Sequence, residues 1–172
     1  RMSIEVAKTA GFCFGVNRAV QMVYDLIEAG ESICTLGPII HNPQLVEELA
    51  EKGVEAIASP EEAAGRKVVI RSHGVAQSVY DEIAALGLSC VDATCPFVRK
   101  IHKIVERESK AGRHIIIVGN DTHPEVEGIK GWCEGPVTVI SSHEEAENLA
   151  FPEGEKLCVV SQTTFNYNKF KD

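Results

Sequence analysis

The chain has 172 residues, 44% of them hydrophobic, which is enough for one ordinary domain or two small ones with buried cores. Seventeen basic and twenty-five acidic residues give a formal net charge of −8, which disfavours a nucleic-acid surface. No apolar stretch is long enough to span a bilayer, and Arg1 to Lys8 lacks the apolar run of a signal peptide. We therefore expect a cytoplasmic protein with neither nucleic-acid nor membrane partners.

Short β-branched runs alternate with amphipathic helical patterns along the chain. The runs predict strands at Ile4 to Val6, Ile33 to Leu36, Lys67 to Ile70, Ser89 to Val91, Ile115 to Val118, Val137 to Ile140 and Leu157 to Val160. The helical patterns run from Val16 to Ile27, Leu45 to Leu49, Val79 to Leu86 and Val98 to Val105, and they end at Gly30, Gly53, Gly87 and Gly112. Alternating strands and helices predict an α/β fold with small parallel sheets flanked by helices.

Two sets of about four strands indicate two α/β lobes, residues 1–95 and 96–172, with a boundary near Cys95. The tail from Phe165 to Asp172 is too short to complete another strand–helix unit, so we expect the chain to be truncated at its C terminus. Arg1 before Met2 suggests a cloning remnant.

Reactive side chains follow six of the expected strands. Ligands of open parallel sheets bind beyond the carboxyl ends of the strands, so these positions are candidates for one site. In chain order the segments are GFCFGVNRA with Cys13, GPIIHNP with His41, RSHGV with His73, DATCP with Cys95, GNDTHPEVEG with His123 and Glu125, and SQTT with Thr163 and Thr164. Two cysteines and three histidines at equivalent topological positions predict one shared cavity.

Cys13 and Cys95 are candidate metal ligands. Each is expected to open a helix, where the positive end of the helix dipole favours the thiolate. A lone cysteine is more often a small buried apolar residue. That interpretation is preferred for the cysteines inside strands, Cys34, Cys90 and Cys158, and Cys133 receives no function.

His41, His73 and His123 form a candidate anion site, because imidazoles donate hydrogen bonds and add charge when they protonate. A loop histidine is otherwise most often a solvated surface residue, and this interpretation is preferred for His102, His114 and His143.

Glu125 is a candidate proton donor, in an expected loop whose Gly119 and Gly128 allow unusual backbone angles. An acid stabilised at a helix N-terminus is the competing interpretation. Thr163 and Thr164 offer hydrogen bonds or are ordinary residues at a strand end.

These motifs, together with HNPQLVEEL, DATCPFVRKIH and THPEVEG, occur in an order and spacing that resemble the 4-hydroxy-3-methylbut-2-enyl diphosphate reductases, also called LytB or IspH, over nearly the whole chain. The resemblance implies three similar α/β lobes, of which the first two are present here. It also implies a [4Fe–4S] cluster on Cys13 and Cys95, with a third cysteine and several Ser and Asn contacts to the diphosphate expected beyond Asp172. His41, His73 and His123 would surround the substrate diphosphate, and Glu125 with Thr163 would handle protons near the substrate hydroxyl, with Thr164 as a neighbour.

The implied activity is the last step of the non-mevalonate isoprenoid pathway, a reductive dehydroxylation that gives isopentenyl and dimethylallyl diphosphate. Its electrons would come from an external one-electron donor such as flavodoxin or ferredoxin. The chain alone is expected to be poorly active. Two other functions stay open: a non-catalytic anion-binding module, and a zinc hydrolase, which the absence of an HExxH motif disfavours.

Overall fold

A computed structural model describes Glu5 and residues 11–171. The first expected strand, Ile4 to Val6, lies outside the described residues apart from Glu5, which is in no strand.

Strands and helices alternate along the described part of the chain. The strands are β1 Ile33–Leu36, β2 Glu55–Ile57, β3 Lys67–Ile70, β4 Cys90–Asp92, β5 His114–Val118, β6 Val137–Ile140 and β7 Leu157–Ser161. The α-helices are α1 Phe14–Glu28, α2 Pro43–Glu51, α3 Gln77–Ala85, α4 Pro96–Lys110, α5 Pro124–Lys130, α6 His143–Glu147 and α7 Tyr167–Lys171, with a 3-10 helix at Pro60–Ala63.

The strands form two parallel sheets, ordered β2-β1-β3-β4 and β6-β5-β7. This arrangement confirms the α/β fold with parallel sheets flanked by helices. Helix α4 connects the two sheets in the chain, and the division into lobes near Cys95 stays a prediction.

Local sequence signals explain where the helices begin and end. In α2, the Asn42 side chain accepts a hydrogen bond of 3.1 Å from the Leu45 amide, and Pro43 occupies the first helical position. Glycines with left-handed backbone angles follow α2 and α4, Gly53 with φ 85° and Gly112 with φ 79°. These are two of the helix ends expected from the sequence.

The first sheet is covered on both faces. Strand β1 is buried throughout; Ile33 packs with Ala19, Val23 and Leu49 on one side, while Cys34 and Leu36 pack with the α3 side on the other. In the second sheet, Ile115 and Ile117 pack against Val105 of α4 and against Val126 and Ile129 of α5. Helix α5 is therefore anchored by buried side chains, which fixes the residues at its start.

Five elements were not among the expected strands and helices: β2, α5, α6, α7 and the 3-10 helix. Strand β2 was not predicted; it is a three-residue strand at the edge of the sheet, and of its residues only Ile57 is buried. Helix α5 occupies the expected loop around Glu125, and neither Gly119 nor Gly128 has a left-handed φ. A Cβ at Gly128 would make only an ordinary van der Waals contact with the backbone of Gly74, at 3.5 Å.

Within residues 11–171 and Glu5, no helix combines the length and the apolar character needed to cross a membrane.

Candidate functional site

His41, His73 and His123 form one cluster at the carboxyl ends of β1, β3 and β5. The ring centroids of His41 and His73 are 4.5 Å apart, and those of His123 lie 6.0 Å from His41 and 5.7 Å from His73. The sequence predicted that these three would share a cavity, and the structure brings them together although they come from two different sheets.

Contacts between α5 and the loop after β3 carry His123 to the other two histidines. The Trp132 indole N–H donates to the Val75 carbonyl at 2.9 Å, and the Gln77 amide donates to the Gly131 carbonyl at 3.4 Å. A Cβ at Gly131 would overlap the side chain of Ala76, so only glycine fits this close approach.

A hydrogen bond sets the tautomer of neutral His123, and burial favours the neutral form of His73. The Glu125 amide donates to His123 Nδ1 at 3.1 Å, so the proton of neutral His123 lies on Nε2, where it can be donated to a ligand. Burial, followed by repulsion from His41 and Arg71, lowers the pKa of His73 to about 4. His73 Nδ1 is buried and has no hydrogen-bond partner among the described residues.

The Glu125 carboxylate is buried and bound by Thr163. Its Oε1 accepts from the Thr163 amide at 2.6 Å, and its Oε2 lies 2.8 Å from the Thr163 hydroxyl. Glu125 lies in the first turn of α5 and is 2% exposed. The two interpretations made from sequence therefore do not compete, since the residue both begins a helix and contacts the expected catalytic threonine.

Thr164 belongs to the same turn but contacts another side chain. Its hydroxyl accepts from the Gln162 amide group at 2.7 Å, and Gln162 Oε1 accepts from the Asn120 amide at 3.0 Å. Gln162 thus ties the turn after β7 to the loop that precedes His123. The sequence did not single out Gln162, because its role depends on a contact between residues 42 positions apart.

Cys13 and Cys95 lie at the N-termini of α1 and α4, as expected, and neither thiol makes a capping hydrogen bond. Cys13 is exposed and Cys95 is partly buried. The two helix starts are close, because a Cβ at Gly15 would overlap Cys95 Sγ. The Cys95 amide also donates to the Ser72 carbonyl at 2.9 Å, which joins its loop to the segment that carries His73.

The donor set fits a metal group only in part. Among the described residues, no group of three or more His, Cys, Asp or Glu side chains could hold a metal ion. Burial raises the pKa of Cys34, Cys90, Cys133 and Cys158, to about 11 for Cys90 and Cys133, and this favours protonated thiols rather than thiolate ligands. Two thiols, those of Cys13 and Cys95, are thus the candidate ligands.

His102 lies beside this site, and its burial differs from what the sequence indicated. The prediction of a solvated residue is wrong, since His102 is 2% exposed and its ring stacks on Trp132 at 5.2 Å. A Cβ at Gly74 would approach the His102 ring at 2.6 Å and Thr94 at 3.1 Å. His102 therefore packs between the segments that carry His73 and Cys95.

Comparisons with known proteins match nearly the whole chain. A family model described as LytB protein matches residues 4–172. The 4-hydroxy-3-methylbut-2-enyl diphosphate reductase of Thermoanaerobacter sp. (strain X514) is 47% identical over 176 residues, which cover 99% of this chain and 60% of that relative.

Two solved structures share the fold over nearly all of the chain. The E-1-hydroxy-2-methyl-but-2-enyl-4-diphosphate reductase from Plasmodium falciparum matches with a TM-score of 0.90 at 27% identity, covering 95% of this chain and 52% of that one. A (E)-4-hydroxy-3-methyl-but-2-enyl diphosphate reductase, described as the terminal enzyme of the non-mevalonate pathway, matches with a TM-score of 0.82 at 39% identity, covering 98% and 60%. The chain thus spans about 60% of the length of the curated relatives that it matches.

Proposed function

The chain belongs to the LytB protein family, and from this premise we propose that it is the substrate-binding part of a 4-hydroxy-3-methylbut-2-enyl diphosphate reductase. The activity would be the reductive removal of the substrate hydroxyl, which yields isopentenyl and dimethylallyl diphosphate. The observation that carries the proposal is the convergence of His41, His73 and His123 from two sheets, with ring centroids 4.5 to 6.0 Å apart.

The histidine cluster would bind the diphosphate. His123 has an Nε2–H free to donate, and His73 has a buried ring nitrogen that a ligand could satisfy. Because His73 is neutral without a ligand, an anion would favour its protonation on binding. The positive charge that holds a diphosphate in this acidic protein would then form only when the ligand binds. Substrate binding would therefore be accompanied by proton uptake.

Glu125 and Thr163 would deliver protons to the hydroxyl that leaves. When Glu125 is protonated, its carboxyl group can donate to the Thr163 hydroxyl over the observed 2.8 Å, and that hydroxyl can donate onward to the substrate. In the net reaction, the allylic C–OH bond breaks and a C–H bond forms. Two electrons and two protons are consumed, and one water is released.

When bound, a [4Fe–4S] cluster would supply the electrons singly and act as a Lewis acid. Cys13 and Cys95 would hold it at the starts of α1 and α4, and the remaining cysteine ligand would come from the additional length that the relatives have. An external one-electron donor such as flavodoxin or ferredoxin, and a cytoplasmic location, belong to the same proposal.

The test uses the full-length chain purified without oxygen. We expect about four iron and four acid-labile sulfide per chain, which is the composition of a [4Fe–4S] group, and turnover of 4-hydroxy-3-methylbut-2-enyl diphosphate with reduced methyl viologen. Binding of diphosphate without iron or turnover would favour the non-catalytic anion-binding module. Zinc with hydrolysis of the substrate would favour the zinc hydrolase. Either result would contradict the proposal.

A further inference from the structure

Four cationic residues line one side of the start of α4. Arg18, Arg99, Lys100 and Lys103 border a pocket of about 230 Å³ together with Pro96, the residue that follows Cys95. We refer to these four side chains as the α4 basic surface. The Arg18 guanidinium donates to the Thr94 carbonyl at 3.3 Å, so it is fastened to the segment that precedes Cys95.

The α4 basic surface has more positive than negative charge. Arg99 pairs with Asp92 at 2.8 Å. Lys100 and Lys103 are exposed, and no carboxylate of a described residue forms an ion pair with either of them. The chain as a whole has a formal net charge of −8, so the charge of this surface is opposite in sign to the net charge of the chain.

Exposed aromatic rings lie next to the same cysteines. Phe12 and Phe14 flank Cys13 and are 43% and 65% exposed, and Phe97, two residues after Cys95, is 63% exposed. Aromatic residues and arginine are enriched in protein interfaces, where they supply most of the binding energy. Among the described residues, exposed aromatic side chains therefore lie beside a positively charged border near the two candidate ligands.

We propose that the α4 basic surface, with Phe97, is the docking site of a small acidic protein that donates single electrons. The inference rests on the proposed function, because only a reductase needs such a partner. Pro96 places the surface directly beside Cys95, which gives a docked donor a short path to the cluster ligand. Opposite charge accelerates the encounter of two proteins, and the small interfaces of electron-transfer pairs allow rapid release.

The stoichiometry follows from the reaction. Each encounter moves one electron from the reduced donor cofactor to the reductase, and the oxidised donor leaves. Two encounters serve each substrate molecule, whose hydroxyl departs as water with the two protons described above. A transient complex suits this cycle better than a permanent one.

The test is a double charge reversal, Lys100→Glu with Lys103→Glu, in the full-length protein loaded with its cluster. Its matched control is Lys52→Glu with Lys156→Glu, which changes the net charge equally at two exposed lysines outside the α4 basic surface. Turnover is measured with a reduced acidic flavodoxin and, separately, with the reduced methyl viologen cation, at low and high ionic strength.

We expect the second-order rate with flavodoxin at low ionic strength to fall about tenfold in the Lys100 and Lys103 variant, and to lose most of its salt dependence. Methyl viologen should support the same turnover as in the wild type, or slightly faster turnover, because a cation is not repelled by the new glutamates. The control variant should keep the wild-type flavodoxin rate.

Three results would overturn the docking site. The first is an unchanged flavodoxin rate in the Lys100 and Lys103 variant, and the second is an equal fall of that rate in the control variant. The third is a fall in the iron content and thermal stability of the Lys100 and Lys103 variant, which would mean that another part of the protein itself covers the surface. A wild-type protein that fails with both reductants would contradict the proposed function instead.

Discussion

The two sides of the candidate site differ in how completely the described chain builds them. On the histidine side, formed by His41, His73, His123, Glu125 and Thr163, each side chain lies in contact with another member of the set. On the cysteine side, Cys13 is exposed, Cys95 is partly buried, and neither thiol makes a capping hydrogen bond. Under the proposed function, the histidine side would therefore be organised for substrate binding within this chain, whereas metal binding would need a further contribution.

The largest expected effect is a loss of reductase turnover, caused by the cysteine side, without a loss of pyrophosphate binding by the histidine side. Residues 1–172 alone should show little or no reductase turnover with reduced methyl viologen, because two cysteines hold a cluster only weakly. The same chain should still bind inorganic pyrophosphate, measured by calorimetry, since His41, His73 and His123 all lie within it. Turnover by this chain at the rate of a full-length reductase would contradict the incomplete cysteine side. Failure of the folded chain to bind pyrophosphate would contradict the role of the histidine side.

Glu125→Gln should lower turnover of the full-length protein by about a hundred- to ten-thousand-fold, the usual contribution of general acid catalysis. The amide keeps the shape of the side chain but cannot supply a proton. Substrate affinity and the cluster spectrum should change little. Glu127→Gln is the matched control, because Glu127 lies in the same first turn of α5 and is exposed. Near-normal turnover of the Glu125→Gln variant at saturating substrate would remove Glu125 as the proton source.

His41→Ala and His123→Ala should each raise the substrate dissociation constant by about ten- to a hundredfold, the loss of one hydrogen bond to a charged group. Turnover at saturating substrate should fall much less, since neither residue is assigned to bond breaking. His143→Ala, a change at an exposed histidine of α6, should leave affinity unchanged. Unaltered dissociation constants in both cluster variants would place the diphosphate elsewhere.

Protein stability should fall on the acid side of pH 6.5. Burial is the main cause that lowers the pKa of both His73 and His102 to about 4, so the unfolded chain takes up their protons before the folded one does. The contribution of these two histidines to the free energy of unfolding is fully present above about pH 6.5 and is lost as the pH falls towards 4. His102→Gln should recover on the order of 2 kcal/mol of the loss between pH 7 and pH 4.5 in urea titrations. A wild-type slope in the His102→Gln variant would contradict this assignment.

Local sequence patterns predicted most of the fold, because strands and long helices are specified by neighbouring residues. The β-branched runs located β1, β3 and β6 to the residue, and glycines marked the helix ends. Strand β2 was missed because only Ile57 faces the core. Helix α5 was indicated only by the competing interpretation of Glu125 as an acid at a helix N-terminus. The helix has seven residues, including Gly128, and buried contacts rather than a helical pattern stabilise it.

The candidate site could be predicted as a set of residues but not as a set of contacts. Position after a strand, near a Gly or Pro, selected the three histidines. The burial of His102 and its stacking on Trp132 depend on the packing of α4 and α5 against each other, which no short pattern encodes. The same holds for Gln162, whose contacts link two loops.

The smallest expected effect concerns the contact that joins the two sheets. Trp132→Phe removes the indole hydrogen bond to the Val75 carbonyl but keeps an aromatic ring beside His102, so stability should fall by about 1 kcal/mol. If this contact positions His123 against the other histidines, the pyrophosphate dissociation constant should rise about threefold. The same change made in the His123→Ala variant should then have almost no further effect on affinity, because the residue it positions is already gone. Equal effects in the two backgrounds would mean that Trp132 stabilises the fold without holding His123, and that the histidine side is organised within each sheet separately.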